Sequence, residues 1–207
     1  MFQGNNVRDE DRFQAVFQDL GSAPATMLAA RIADFVALLP GCSGEVADAV
    51  QAYIQAKLTG VPTWIRIPRE EWPAAWANMR DPVVPLHLAL YGHPDAGTCW
   101  ERHCDEKLRE KGFLPVNGWP GCYTHKSLAV FLTVYVDDFK MSGKDGDRAK
   151  AWKLIKEAVD LEDPEPYGRY LGCGQEIGEA TPDSDVLKTC ELPGVEKSST
   201  LLPRYGR

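Results

Sequence analysis

The chain has 207 residues, 44% hydrophobic and 10% aromatic, enough to bury a sizeable core as one domain. No apolar run is long enough to cross a membrane, and the charged start, Met1 to Phe13, does not read as a secretory leader, so an intracellular setting is expected without choosing between cytoplasm and nucleus. The net charge of −7 is uneven: residues 157–196 carry eleven acids against two bases, leaving +2 on the rest, too little for strong stand-alone binding of a polyanion.

In chain order, Ser22 to Pro40 predicts a helix with Met27, Ile32, Phe35 and Leu38 or Leu39 turned inward, closed by proline at both ends, and with Asp34 on its solvated face. Val46 to Leu58 reads as strand-like, with one acid, Asp48, inside it. Thr63 to Pro68 predicts a short strand, and Trp64 and Trp72 are expected to pack. Pro94 to Gly112 predicts a helix with the apolar stripe Trp100, Cys104 and Leu108, ended by glycine. Cys99 and Cys104 on that helix project about 140° apart at 3.6 residues per turn, and no second pair completes a zinc finger with them and His103. The six scattered cysteines are therefore expected to be reduced thiols. His125 falls in a strand, with no partner evident.

Leu128 to Val136 reads as a buried strand from its β-branched and aromatic content. Asp137 and Asp138 then interrupt it, and the chain returns as Phe139 to Gly143. Two readings stand here. Asp-Asp between strands is an ordinary polar turn, or two carboxylates at a hairpin tip, joined by Asp48 from a neighbouring strand, offer the hard oxygen ligands that magnesium prefers. Gly146 to Val159 predicts an amphipathic helix with Trp152, Ile155 and Val159 inward and its lysines solvated. Arg169 to Cys173 predicts a strand that packs beside that hairpin and closes the sheet, and residues 179–207 an acidic, irregular tail. There is no G-x-S-x-G elbow, no Walker phosphate loop and no Cys/His dyad.

The order D-x-x-x-A-Y (Asp48, Ala52, Tyr53), L-Y-G (Leu90 to Gly92), Y-V-D-D (Tyr135 to Asp138) and Y-L-G (Tyr170 to Gly172) resembles reverse transcriptases, most closely those of copia-type retrotransposons, over about residues 2–178. The resemblance implies an α+β fold: a right-hand polymerase palm with partial fingers in residues 1–178, its antiparallel sheet carrying the acids and packed on helices. It implies RNA-directed DNA synthesis with Asp48, Asp137 and Asp138 as catalytic metal ligands for two Mg²⁺ ions, or Mn²⁺. Tyr53 would exclude a ribose 2′-hydroxyl, and Ala49, Tyr135 and Val136 would line the nucleotide and primer sites. The expected partners are an RNA template, a DNA primer and a deoxynucleoside triphosphate, with other parts of a polyprotein and no membrane.

The chain departs from that pattern after L-Y-G. A Leu-Lys-Gln-Ala-Pro-like run in those enzymes is here His93-Pro-Asp-Ala-Gly97, which places Asp95 near the nucleotide, where an anion should repel a triphosphate. The family's full fingers, thumb, connection and ribonuclease H portions are not found in these residues. The expectation is a fragment of an element polyprotein or a decayed copy. The alternative function is accordingly a catalytically silent remnant that keeps the palm fold and at most binds nucleic acid or another protein.

Overall fold

The computed structural model describes residues 7–8, 23–171, 173–179 and 201–205. In chain order, α1 (Met27–Ala37) and β1 (Cys42–Asp48) lead into α2 (Ala52–Gln55), β2 (Trp64–Arg66), β3 (Val83–Pro85) and α3 (Ala96–Glu110). Then follow β4 (Phe113–Pro115), β5 (Cys122–His125), β6 (Val130–Tyr135), β7 (Asp138–Lys144), α4 (Asp145–Lys156), β8 (Glu165–Pro166), β9 (Arg169–Tyr170), β10 (Cys173–Glu179) and β11 (Leu201–Tyr205). The fold is α+β with antiparallel sheets. The chain divides into two compact units, one built on Gln51–Lys107 and the other on Ala23–Val50 with Leu108 onward.

The larger unit is organised by a six-stranded sheet in the order β4-β5-β6-β7-β1-β8, every neighbour antiparallel. Adjacent residues of a strand point to opposite faces, so the partners of β1 and β7 show which helix lies on which side. Lys140 of β7 pairs with Asp34 of α1. Glu45 of β1 stands opposite Met141 and accepts hydrogen bonds from Arg148 and Trp152 of α4, both at 2.8 Å. The two helices therefore cover opposite faces, and Leu132, Phe139, Met141, Trp152 and Ile155 are buried in the resulting core.

Helix α1 begins where Thr26 caps it, its hydroxyl accepting from the Ala29 N–H at 3.2 Å. Its buried face differs from the sequence expectation. Ala29, Ala30, Ala33 and Asp34 face the sheet, while Met27 is 41% and Phe35 63% exposed. Small residues let the helix axis approach the strands closely, and the buried Asp34 is accommodated because it meets Lys140 there.

Two further expectations are corrected. The strand-like reading of residues 46–58 holds only as far as Asp48; the chain then turns at Gln51 (φ 51) into the short helix α2. The strand that closes the sheet beyond β1 is β8, at 165–166, whereas β9 belongs to a three-stranded sheet with β10 and β11. The expected tail coincides in part with β11 and β10, and residues 180–200 lie outside the described residues. Phe2 to Gly4, where the resemblance begins, also lie outside them.

The smaller unit holds the β2–β3 hairpin and most of α3. Trp100 and Cys104 are buried as predicted, and Leu108, which continues the stripe, is buried too. Trp64 is 59% exposed instead of packed, because β2 and β3 form only a two-stranded ribbon. Trp72 donates to the Ile67 carbonyl at 2.9 Å. Among the described residues Cys42, Cys99, Cys104 and Cys122 are free thiols. Burial first, then Asp105 and Glu101, pushes Cys104 up to about 12, which keeps that thiol protonated.

Gly143 occupies the β7 rung facing Ser43 and Val130 with φ +149, and a Cβ there would lie 2.2 Å from the Ala129 carbonyl oxygen. Backbone cannot yield as a side-chain tip can. Gly143→Ala should therefore cost about 1–3 kcal/mol, read as a lower urea midpoint at unchanged slope; a midpoint equal to that of the unsubstituted protein would contradict this.

Candidate active site

Strands β6 and β7 form the predicted hairpin, with Val136 and Asp137 as its two-residue loop. Asp138 is the first residue of β7. It stands directly opposite Tyr135 on one side and Asp48, the last residue of β1, on the other. Directly opposed residues in an antiparallel ladder share a face and lie about 4.5–5.5 Å apart at Cα. Asp48, Asp138 and Tyr135 thus project from one face at the end of the sheet, and Asp137 occupies the turn beside them.

The tip is tied from β1, where the Ala49 N–H donates to the Asp137 carbonyl at 2.8 Å. Ala49 is buried and also bridges to Leu161, so the chain just past Asp48 is fixed on two sides. Val136 has φ 56, a region that β-branched residues avoid. Tyr135 is 38% exposed, and Asp137 and Asp48 are exposed.

Asp138 is half-buried, and its carboxyl is pushed up to about 6. Burial is the largest cause, followed by the charges of Asp137 and Asp48 and by a side-chain hydrogen bond to Asp48. Three carboxylates are thus gathered without a counter-charge between them, a donor set that suits a hard divalent cation. Among the described residues, no group of three His, Cys, Asp or Glu side chains converges closely enough to hold a metal ion. A cation here would take one or two carboxylates from the protein and its other oxygens from water and phosphate, as magnesium does readily.

The remaining candidate residues, Tyr53 and Asp95, belong to the smaller unit. Tyr53 lies on α2 rather than in a strand, half-buried, its ring tilted against that of Tyr91 at 5.9 Å between centroids. Asp95 stands in the turn entering α3, where its N–H donates to His93 Nδ1 at 3.1 Å. His93 Nε2 then carries the proton and donates to the Thr63 hydroxyl at 3.1 Å. Burial lowers the pKa of His93, with Asp95 opposing the shift, so the imidazole stays neutral and holds this turn.

His125, without a partner in the sequence reading, accepts from the Ser127 and Leu128 N–H groups at Nδ1 and meets the Lys111 carbonyl through Nε2 at 3.0 Å. It is a turn anchor. The sequence reading missed the polar layer beneath the acids, where Lys140, Asp34, Tyr167 and Tyr170 meet. Its signal was a lysine inside an apolar strand, two residues after Asp138.

Carboxylates gathered at the ends of two neighbouring interior strands, beside a two-residue hairpin, are oxygen donors of the kind a divalent cation takes. The chain belongs to the reverse transcriptase (RNA-dependent DNA polymerase) family, whose profile matches residues 47–183 and so takes in all three acids. It is also 28% identical over 107 residues to "Putative transposon Ty5-1 protein YCL074W" of Saccharomyces cerevisiae, across 48% of this chain and 34% of that protein. The chain thus spans about a third of the yeast protein's length. No solved structure matches it significantly.

An acid with a raised folded-state pKa contributes stability below its unfolded value, and that contribution is lost as pH rises through the folded value. For Asp138 the window runs from 3.8 to about 6. Full burial would make this about 3 kcal/mol, but partial exposure to water reduces it to about 1–2 kcal/mol. Asp138→Asn should accordingly gain on the unsubstituted protein by that amount between pH 4 and 7 in urea titrations. A difference that stays flat with pH would refute the assignment.

Proposed function

We propose that this chain is the RNA-directed DNA polymerase domain of a copia-type retrotransposon, with a palm-type sheet and nucleotidyl transfer to a primer 3′-hydroxyl. The observation that carries the reading is the rung Asp48–Asp138, with Asp137 in the adjoining turn. Asp48, Asp137 and Asp138 would hold two Mg²⁺ ions, with Mn²⁺ as a substitute. The chemistry such ions supply is activation of the primer hydroxyl and neutralisation of charge on the triphosphate and leaving pyrophosphate. No side-chain nucleophile is needed.

The chain's own residues position the reactants. Asp48 and Asp138, leaving the same face, would orient the primer 3′-oxygen toward the α-phosphorus, with pyrophosphate leaving on the opposite side, and the Ala49–Asp137 hydrogen bond keeps the turn against the end of β1. Tyr135 and Val136 would meet the primer end, and Ala49 the incoming nucleotide. The partners are an RNA template, a DNA primer and deoxynucleoside triphosphates, together with other parts of a polyprotein. Among the described residues no helix is long and apolar enough to cross a membrane.

One observation favours a second reading, a catalytically silent domain that at most binds nucleic acid or another protein. Without a cation, no three acid, histidine or cysteine side chains among the described residues converge as a ready metal site. Extension of a labelled DNA primer on an RNA template with magnesium separates the two readings. The polymerase reading expects extension that Asp137→Asn lowers about 100-fold or more, the several kcal/mol of charge stabilisation that a metal site provides. Equal signals from both proteins would leave the silent reading in its place.

A further inference from the structure

Lys140 is the same-face neighbour of Asp138, two residues further along β7. Its side chain is fully buried, and a lysine stem is long enough to bring an ammonium to a carboxylate one such step away. A buried ammonium beside three carboxylates would ordinarily pair with them. It does not do so here. The Lys140 ammonium instead pairs with Asp34 of α1, whose side chain is 4% exposed. It also lies 4.5 Å from the centre of the Tyr167 ring and 4.8 Å from that of Tyr170, distances at which an aromatic face attracts a cation.

Two segments of chain, α1 and the 167–170 stretch, converge on this one charge. Asp34 comes from α1. Tyr167 crosses the sheet above Gly44, where a Cβ would fall 2.1 Å from its ring, and its hydroxyl donates to the Met141 carbonyl at 3.4 Å. Tyr170 is buried in the same layer, and its phenol is pushed up by burial first and then by anions that include both Asp138 and Asp34. It therefore stands within electrostatic reach of the caged pair and of the acid rung alike.

We propose that Asp34, with the rings of Tyr167 and Tyr170, holds the Lys140 ammonium away from the Asp48–Asp138 rung and so leaves those carboxylates free for cations. The role rests on the metal reading given above. Asp34 is then a positioning residue that acts through Lys140. An opposite charge within about 4–6 Å shifts a carboxylate's proton affinity by 1–3 pKa units, and a cation competes for the same oxygens, so a released Lys140 should weaken metal binding about tenfold or more.

The test measures Mn²⁺ affinity by water-proton relaxation and folding by urea titration, for the full chain and three variants. Asp34→Asn should bind Mn²⁺ about tenfold or more weakly. Asp34→Leu combined with Lys140→Met replaces a buried pair by apolar groups, which is often neutral or stabilising, and should return Mn²⁺ affinity to that of the unsubstituted chain. A merely structural pair would change the urea midpoint of Asp34→Asn and leave its Mn²⁺ affinity alone. That result overturns the proposal, as does a folded double variant that still binds weakly. Should Asp34→Asn not fold in buffer alone, its Mn²⁺ affinity is measured in sucrose, which favours the folded state, and read in the same way. If the unsubstituted chain binds Mn²⁺ no better than Asp138→Asn does, the metal reading itself fails and the role of Asp34 falls with it, a result distinct from either of the others.

Discussion

Asp48 and Asp138 meet because β1 and β7 are paired over seven rungs, from Cys42 opposite Lys144 to Asp48 opposite Asp138. Side chains alternate across a strand, so a slip of one residue would send the two carboxylates to opposite faces and exchange every buried neighbour below them. Each face fixes the register independently. On one, Glu45 takes Arg148 and Trp152 of α4. On the other, Gly44 admits the Tyr167 ring, and Lys140 finds Asp34. Like charges on a rung are unfavourable by a few tenths to about 1 kcal/mol, so these flanking contacts must outweigh the repulsion at the end of the ladder. They do so from the interior, where the dielectric response is weaker and the geometry is held by packing.

The hairpin tip shows the same division between an imposed geometry and the groups that impose it. Val136 at φ 56 is in a conformation that a branched side chain resists, with a cost of order 1–3 kcal/mol. The turn is nonetheless held at its far side by the Ala49 N–H on the Asp137 carbonyl. Ala49 is in turn set by Leu161, and the Val50 N–H by the Asp160 carbonyl at 3.0 Å. The strained turn is therefore buttressed by the segment after α4 as well as by its own strands.

The hairpin, the pair of acids and the stripes of α3 and α4 were legible in the sequence because each is a local pattern: an apolar run, a polar interruption, a helical period. The sequence did not show which face of α1 is buried. Large apolar residues normally mark the inner side, but Ala29, Ala30 and Ala33 allow a close approach to the strands, and Asp34 is buried because of a partner more than a hundred residues away. The end of β1 was missed for a related reason. Val46 to Leu58 keeps its strand-like composition past the point where Gln51 turns left-handed, and only the ties of Ala49 and Val50 to the 160–161 segment show where pairing stops. The assignment of the sheet edge to residues 169–173 instead of 165–166 failed because a two-residue strand leaves no periodicity to read.

The uneven charge takes on a different meaning once the acids are placed. The net −7 is a sum over the chain, and it hides a body that is nearly neutral outside residues 157–196. Within that body three carboxylates lie together at the end of the sheet, where burial first and then Asp137 and Asp48 raise the cost of ionising Asp138. Several acids elsewhere are paired close by: Glu45 and Asp145 with Arg148, Glu157 with Lys111, Asp163 with Lys156. Among the described residues the acid rung has no such partner, since the buried cation two residues along β7, Lys140, is committed to Asp34. A cluster that leaves its repulsion unneutralised within the fold is lowest in free energy when a mobile cation or a proton supplies the missing charge, and both would compete for the same oxygens.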